Sequence, residues 1–370
     1  MKTIGREVLR IPIKEGNPRN GEGAFLRLLD GRIMFAYTKY DGESNTDEAT
    51  AHIAAVYSED EGESWSESTP LLQKGEGDLN IMSVSLLRLK DGRLGLLYLR
   101  KLKKEGKILC LPHFVSSSDE GKTFSAPTPC LGKDGYFVVN NDRLVRLSSG
   151  RIIFPFAYHG EALDALRPGA ISLCYSDDEG KTFHTAPYLI ESPYKDATRL
   201  QEPGLFELPD GRLWLFCRTA YGHQYQCFSS DKGASFGPLS PALRFTSPDS
   251  PMQVKSAHGR ALAIFNPLAY SCIREETELW GSPKRTPYVV AISQNGGLSF
   301  ADDTACFANG ALQSFSAACR FLEDDTESSY SYPAVIATKD GVLIAYYHSN
   351  GERYCLGGTK ITKLSLEELV

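Results

Sequence analysis

Arg218 closes the apolar run Leu213-Trp-Leu-Phe-Cys217, and a cation at the end of such a run calls for an anion beside it. Glu202, one hairpin earlier in Gln201-Glu202-Pro203, can serve as that anion in a structural ion pair, or as a proton acceptor. Two further arginines stand far off along the chain: Arg10 in Arg10-Ile11-Pro12, and Arg285 in a polar loop after Asn266-Pro267 and ahead of a turn at Asn295. Taken alone, Arg10 reads as a solvated strand-edge residue, and Arg285, in a Lys-Arg pair, reads as a surface cation nearly as readily as a site residue. Brought together, three guanidiniums repel by about 4 kcal/mol per pair at about 4 Å and an effective dielectric near 20, so their convergence needs an anion. The planar guanidinium fork suits a carboxylate. Tyr332, in Tyr330-Ser331-Tyr332, carries a phenol that is neutral until a base takes its proton; alone it is equally a core aromatic, one of 18 tyrosines. The acidic loop Asp41-Gly-Glu-Ser-Asn-Thr-Asp47-Glu48 follows the first hairpin.

The elements that must position these groups repeat. Ser58-x-Asp60-x-Gly62-x-Ser64-Trp65 returns at Asp119, Asp178 and Asp231, each ending in Phe, and with one change at Asn295. The Asp carboxylate accepts N–H groups of its own turn, the Gly supplies positive φ, and the closing aromatic starts a strand with a large apolar face. A second repeat runs in phase: short apolar segments flank turns at Asp30-Gly31, Asp91-Gly92, Ser149-Gly150, Asp210-Gly211, His258-Gly259 and Asp340-Gly341. Asp-Gly between such segments is a strong hairpin signal. Hairpin, strand, Asp turn and strand recur every 50 to 80 residues or so, which makes one four-stranded sheet per repeat. The expected fold is all-β: a six-bladed β-propeller of four-stranded antiparallel blades, residues 1–370 as a single domain, closed by the N-terminal strand Glu7 to Ile13 joining the last blade. Long polar connections, including Tyr40 to Thr50, Pro193 to Gln201 and Arg274 to Arg285, are the expected carriers of function.

Composition narrows the partners. A net charge of -6 with no basic surplus counts against nucleic acid. No apolar run reaches membrane-spanning length and the N-terminus lacks a signal-peptide core, so no membrane partner and a cytoplasmic location are expected. Nine scattered cysteines without a CxxC pair read as buried thiols in a reducing compartment; no metal and no cofactor are expected.

On these residues the chain resembles the sialidases (neuraminidases), whose repeated turn is the Asp box. The resemblance spans almost the whole sequence, and its most specific part is the order Arg10-Ile11-Pro12, Glu202, Arg218, Arg285, Tyr332 between the turns. It implies an exo-glycosidase that hydrolyses a terminal sialic acid or related acidic sugar with retention. Arg10, Arg218 and Arg285 would hold the substrate carboxylate, Tyr332 would be the nucleophile and Glu202 its base. Sialidases are a known tyrosine-nucleophile exception to the two-carboxylate scheme, with which this set is consistent. The acid would come from the first loop; Asp47, nearer the strand that follows, is preferred, with Asp41 and Glu48 open. Where the family has an Arg at the end of the first hairpin this chain has Lys39, which keeps the charge, loses the fork and alters the grip on substrate. A hydrolase or lyase for another acidic sugar and a non-catalytic carbohydrate-binding propeller are the alternative readings.

Overall fold

The computed structural model describes residues 2–192, 200–267, 285–300, 319–350 and 356–370, with strand segments at 278–279, 282–283, 306–308 and 311–314. Most of the loops expected at Pro193 to Gln201 and Arg274 to Arg285 lies outside the described residues. Among these residues the protein is all-β, interrupted by two single 3-10 turns, Leu163–Ala165 and Glu367–Leu369. No described helix is long and apolar enough to cross a membrane.

The Asp turns form as their residue types require. In the first, Asp60 Oδ1 accepts from the Ser64 N–H at 2.8 Å and Asp60 Oδ2 from the Ser64 hydroxyl at 2.5 Å, while Ser58 Oγ accepts from the Gly62 N–H at 2.8 Å. The same bonds recur around Asp119, Asp178 and Asp231. In the fifth copy Asn295 keeps the geometry through its amide, donating to Ser299 Oγ at 2.8 Å. The closing aromatics pack inward: Phe183 lies 5.4 Å from Phe114, and Phe300 lies 5.2 Å from Phe245.

Sheet sizes correct the expected blade count. Instead of six equal four-stranded blades, the described strands form three four-stranded sheets, one of five strands and one of eight, with two two-stranded ribbons. The eight-stranded sheet arises because Ala51, in the strand Ala51–Ser58, bridges in parallel to Asn80 in Asp78–Arg88, so the first two sequence repeats share one sheet. Asn80 Nδ2 also donates to the Asp47 and Ala49 carbonyls at 2.8 and 2.7 Å, which ties the intervening loop to that junction. The N-terminal strand Arg6–Ile11 pairs antiparallel with Gly358–Ser365, in one sheet with Gly341–Ser349 and Ser329–Thr338.

The chain divides into two compact units, Pro12–Leu205 and Met1–Ile11 with Phe206–Val370. In the first, aromatic and aliphatic cores gather around Phe114, Phe137, Phe154 and Phe156, and around Met34, Ile53, Leu96 and Val115. In the second, one core holds Trp214, Phe216, Phe245 and Phe265, and another Ile264, Tyr288, Ile344 and Tyr346. The cysteines at 110, 130, 174, 217 and 227 are buried free thiols.

An unexpected device links the repeats of the first unit. Glu61, Glu120 and Glu179 precede the turn glycines at φ of 59 to 61°, and each takes a bidentate guanidinium, from Arg27, Arg88 and Arg146 respectively. Glu120 also accepts the N–H of Leu29 and Glu179 that of Lys90, each in the hairpin of the preceding repeat. The carboxylate therefore joins its own repeat to the one before it.

Candidate functional site

Four strands break their regular course at a polar residue. The pairing of Asn20–Arg27 shifts between Gly21 and Ala24, that of Asp78–Arg88 between Met82 and Ser85, and that of Ser329–Thr338 between Ser331 and Ala334. Inside these bulges Glu22, Ser83 and Tyr332 take φ of 52, 58 and 59°; Glu202, in Gln201–Glu207, takes 46°. A bulge re-aims the side chain, and positive φ in a residue with a Cβ costs about 1–3 kcal/mol, strain that collects where geometry matters. Gly23 follows from the same turn of backbone: a Cβ there would come within 2.4 Å of the Ala36 carbonyl.

In the unit containing Tyr332, three expected site residues meet. Arg218, at the end of Leu213–Arg218, directs NH1 at the Tyr332 hydroxyl at 3.4 Å and Nε at Asp249 Oδ1 at 2.8 Å. Arg285 places its guanidinium carbon 5.5 Å from the Tyr332 ring centroid, and donates to Ser331 Oγ at 3.2 Å and to the Asp249 carbonyl at 3.0 Å. Tyr332 packs edge-on against Tyr347 at 5.6 Å. All three are almost wholly buried, so their charges act in a medium less screening than water. Asp249, absent from the sequence reading, binds both arginines, one through its carboxylate and one through its carbonyl. Its signal was a turn-prone Ser-Pro-Asp-Ser run before a strand.

Arg10 is placed differently. Its guanidinium donates to Glu7 at 2.5 and 2.9 Å and meets His348 Nδ1 at 2.9 Å, with 43% of the side chain exposed. The structure does not bring it to Arg218, Arg285 or Tyr332, although all four belong to one unit.

In the other unit a fourth arginine holds two carboxylates. Arg19 is 1% exposed; it donates to Asp47 at 2.6 Å and Glu22 at 2.5 Å, over the ring of Tyr40 at 4.6 Å. The Ser83 hydroxyl donates to the second oxygen of Glu22. Burial pushes the Glu22 carboxyl above its ordinary pKa, Arg19 opposes that, and the charges of Asp47 and Glu202 add to the rise. Asp47 is half exposed at its carboxylate, while its carbonyl is held by Asn80 and by Lys101 at 2.9 Å. Of the other acids in this loop, Asp41 bonds His52 Nδ1 at 2.7 Å and Glu48 lies 3.5 Å from Lys101. Lys39 sits half-buried in Ile33–Tyr40, across from Asn20 and His52. Glu202 is buried. Arg19 and Glu22 escaped the sequence reading because Asn17-Pro-Arg-Asn-Gly-Glu22 looks like an ordinary turn. The available signal was an i,i+3 charge pair directly ahead of an apolar strand.

A family model described as a BNR repeat-like domain matches residues 86–345. The chain belongs to that family. This BNR repeat-like protein also shares its fold with solved structures along nearly its whole length. A Dyadobacter fermentans protein of unknown function is 18% identical with a TM-score of 0.71, covering 97% of this chain and 99% of that one. The intramolecular trans-sialidase of Ruminococcus gnavus, in complex with oseltamivir carboxylate, is 13% identical with a TM-score of 0.67, covering 99% and 98%. The leech intramolecular trans-sialidase, complexed with 2,7-anhydro-Neu5Ac, is 14% identical with a TM-score of 0.70, covering 100% and 71%. At such identities the likeness is one of fold, an all-β propeller. No curated protein matches the chain.

In this BNR repeat-like chain the group around Tyr332 combines two cations with a phenol. The guanidiniums suit a carboxylate, and Arg218 faces the oxygen at which charge forms when the phenol loses its proton. Among the described residues no cluster of three or more His, Cys, Asp or Glu is placed to hold a metal ion.

Proposed function

We propose that this protein is a retaining glycosidase acting on a terminal acidic sugar, a sialoside foremost. The observation that carries the reading is the convergence of Arg218 and Arg285 on the Tyr332 phenol within one unit. Two nearly buried cations beside one potential nucleophile select a substrate that brings its own carboxylate to the reacting carbon. A carboxylate nucleophile would be repelled by that group, and a neutral phenol is not. In this reading Tyr332 attacks the anomeric carbon, Arg218 and Arg285 grip the carboxylate, Glu202 removes the phenol proton and Asp47 protonates the leaving oxygen. Lys39 is the further cation that the resemblance assigns to substrate binding, while Arg10, engaged by Glu7 and His348, is left out of this reading. The relatives of like fold include proteins described as trans-sialidases, which supports an acidic sugar as ligand.

The test is release of a fluorogenic leaving group from a sialoside by the wild type and by Tyr332→Phe. Turnover in the wild type and its loss in Tyr332→Phe, with ligand binding retained, is the expected result. No turnover by either protein, with sialic acid still bound, would replace the enzyme by a carbohydrate-binding module. Turnover of another acidic glycoside alone would move the substrate and keep the mechanism.

A further inference from the structure

Within the unit Pro12–Leu205 a cavity of about 540 Å³ opens beside the sheet that contains Ile152–Tyr158. Its wall is aromatic. Phe137 packs edge-on to Phe156 at 5.6 Å and tilted on Tyr158 at 5.0 Å. Leu131 and the segment from Thr185 to Leu189 complete the lining. A single charge stands among them: Lys133, whose Nζ lies 4.6 Å from the Tyr158 ring centroid and 5.8 Å from that of Phe137. Among the described residues no carboxylate lines the cavity. Asp134, the chain neighbour of Lys133, is engaged by Lys104 at 2.7 Å. The buried Ser172 hydroxyl donates to the Ala186 carbonyl at 3.4 Å and so is turned to the protein.

We propose that this cavity is a second ligand site, for a small organic monoanion with a flat apolar body, such as an aromatic carboxylate. The volume falls in the range of small-molecule pockets, about 300–1,000 Å³, which are mostly apolar with a few polar groups that fix orientation. The half-buried Tyr158 and Tyr188 offer ring surface to a planar body, backed from the core by the fully packed Phe137 and Phe156. Lys133, exposed and poised over two rings, supplies the cation for its carboxylate without a competing acid among the described lining residues. A sugar is a poorer fit, since it needs many fixed donors and acceptors and this lining offers one cation and a few hydroxyls. The site shares no residue with the groups around Tyr332 and Arg19, and it stands apart from the glycosidase reading.

Calorimetric titration of the full chain with 2-naphthoate, and with 2-naphthylmethanol as its neutral analogue, tests the assignment. The expected result is saturable binding of naphthoate that weakens about tenfold in Lys133→Gln and changes less than about threefold in Lys133→Arg. The alcohol should be indifferent to both substitutions, and Thr185→Trp, at the exposed rim, should block both ligands. Lys133 and Thr185 are exposed, so circular dichroism of the variants should match the wild type. No saturable binding by the wild type, equal naphthoate affinity in Lys133→Gln, or binding that survives Thr185→Trp would overturn the proposal.

Discussion

The Lys101 ammonium donates to the main-chain carbonyl of Asp47 at 2.9 Å from a side chain only 3% exposed. Burial favours the neutral amine, but the nearby carboxylates, Asp47 foremost with Glu48, more than offset that and raise its pKa, so it stays an ammonium at neutral pH. With Asn80, it fixes the backbone from which the Asp47 carboxylate projects.

Replacing that cation by an apolar chain of similar length should therefore loosen one loop rather than the whole fold. Lys101→Met is expected to cost about 2 kcal/mol, below the usual range for breaking a buried pair because Glu48 is partly solvated. Urea unfolding measures the loss. If Asp47 is the acid, kcat should fall while KM moves little, and the fall should be steepest for poor leaving groups.

Arg19→Met should be more damaging. It leaves the buried Glu22 carboxyl without its guanidinium, a loss of about 3 kcal/mol or more. The pH dependence has a definite sign. Burial raises the Glu22 pKa, so this residue is tolerated best below its ordinary value of 4.5, where it holds its proton, and costs stability as pH rises. The destabilisation should accordingly be greater at pH 8 than at pH 5 in paired unfolding curves.

Acid should attack the turns. Hydrogen bonds from Ser64 hold Asp60 down at about 2, against an ordinary 3.8, and Asp119 and Asp231 are held at about 2 by their own turn hydroxyls and N–H groups. A depressed carboxyl stabilises the fold above its unfolded pKa and loses that contribution as pH falls through the folded one. The thermal midpoint should drop between about pH 4 and pH 2. Asp60→Asn, which copies the amide already present at Asn295, should flatten part of that slope.

The carboxylates that join repeats offer an internal control. Glu120→Ala removes a bidentate partner of Arg88 and an acceptor for the Leu29 N–H, and should cost about 1–2 kcal/mol. Lys232 holds the corresponding position in the fourth copy, at φ 59°, without a carboxylate to lose. Lys232→Ala should change stability by no more than about 0.5 kcal/mol.

Lysine in place of either arginine near Tyr332 keeps the charge and loses the fork. Arg218→Lys should raise KM about tenfold for a carboxylate-bearing substrate and leave a neutral glycoside analogue unaffected. Equal effects on both substrates would remove the carboxylate grip from the mechanism.

Local chemistry was legible in the sequence, and distance was not. The Asp turns form because one Asp, one Gly and two hydroxyls within seven residues contain every partner they need. Arg218 announced itself by ending an apolar run, while Tyr332 stood out only through the resemblance. The blade count failed because the single bridge from Ala51 to Asn80 depends on how two sheets abut, which no local pattern encodes. Arg10 stands out in the sequence beside Ile11 and Pro12, yet its guanidinium meets Glu7 and His348. Arg19 was passed over because burial is a property of the folded chain. Pro203 and Pro333 did carry a usable hint: proline inside a strand marks an edge or a bulge, and each directly follows a residue at positive φ.

Those interruptions act as sockets. At positions 22, 83 and 332 the pairing lapses and then resumes, and at these three and at 202 a left-handed backbone hands one side chain over to another task. That backbone limits any exchange of residue to those that are not branched at Cβ. A chemist wishing to give this scaffold a different reaction would begin at these four places, with asparagine, histidine or aspartate and not with valine.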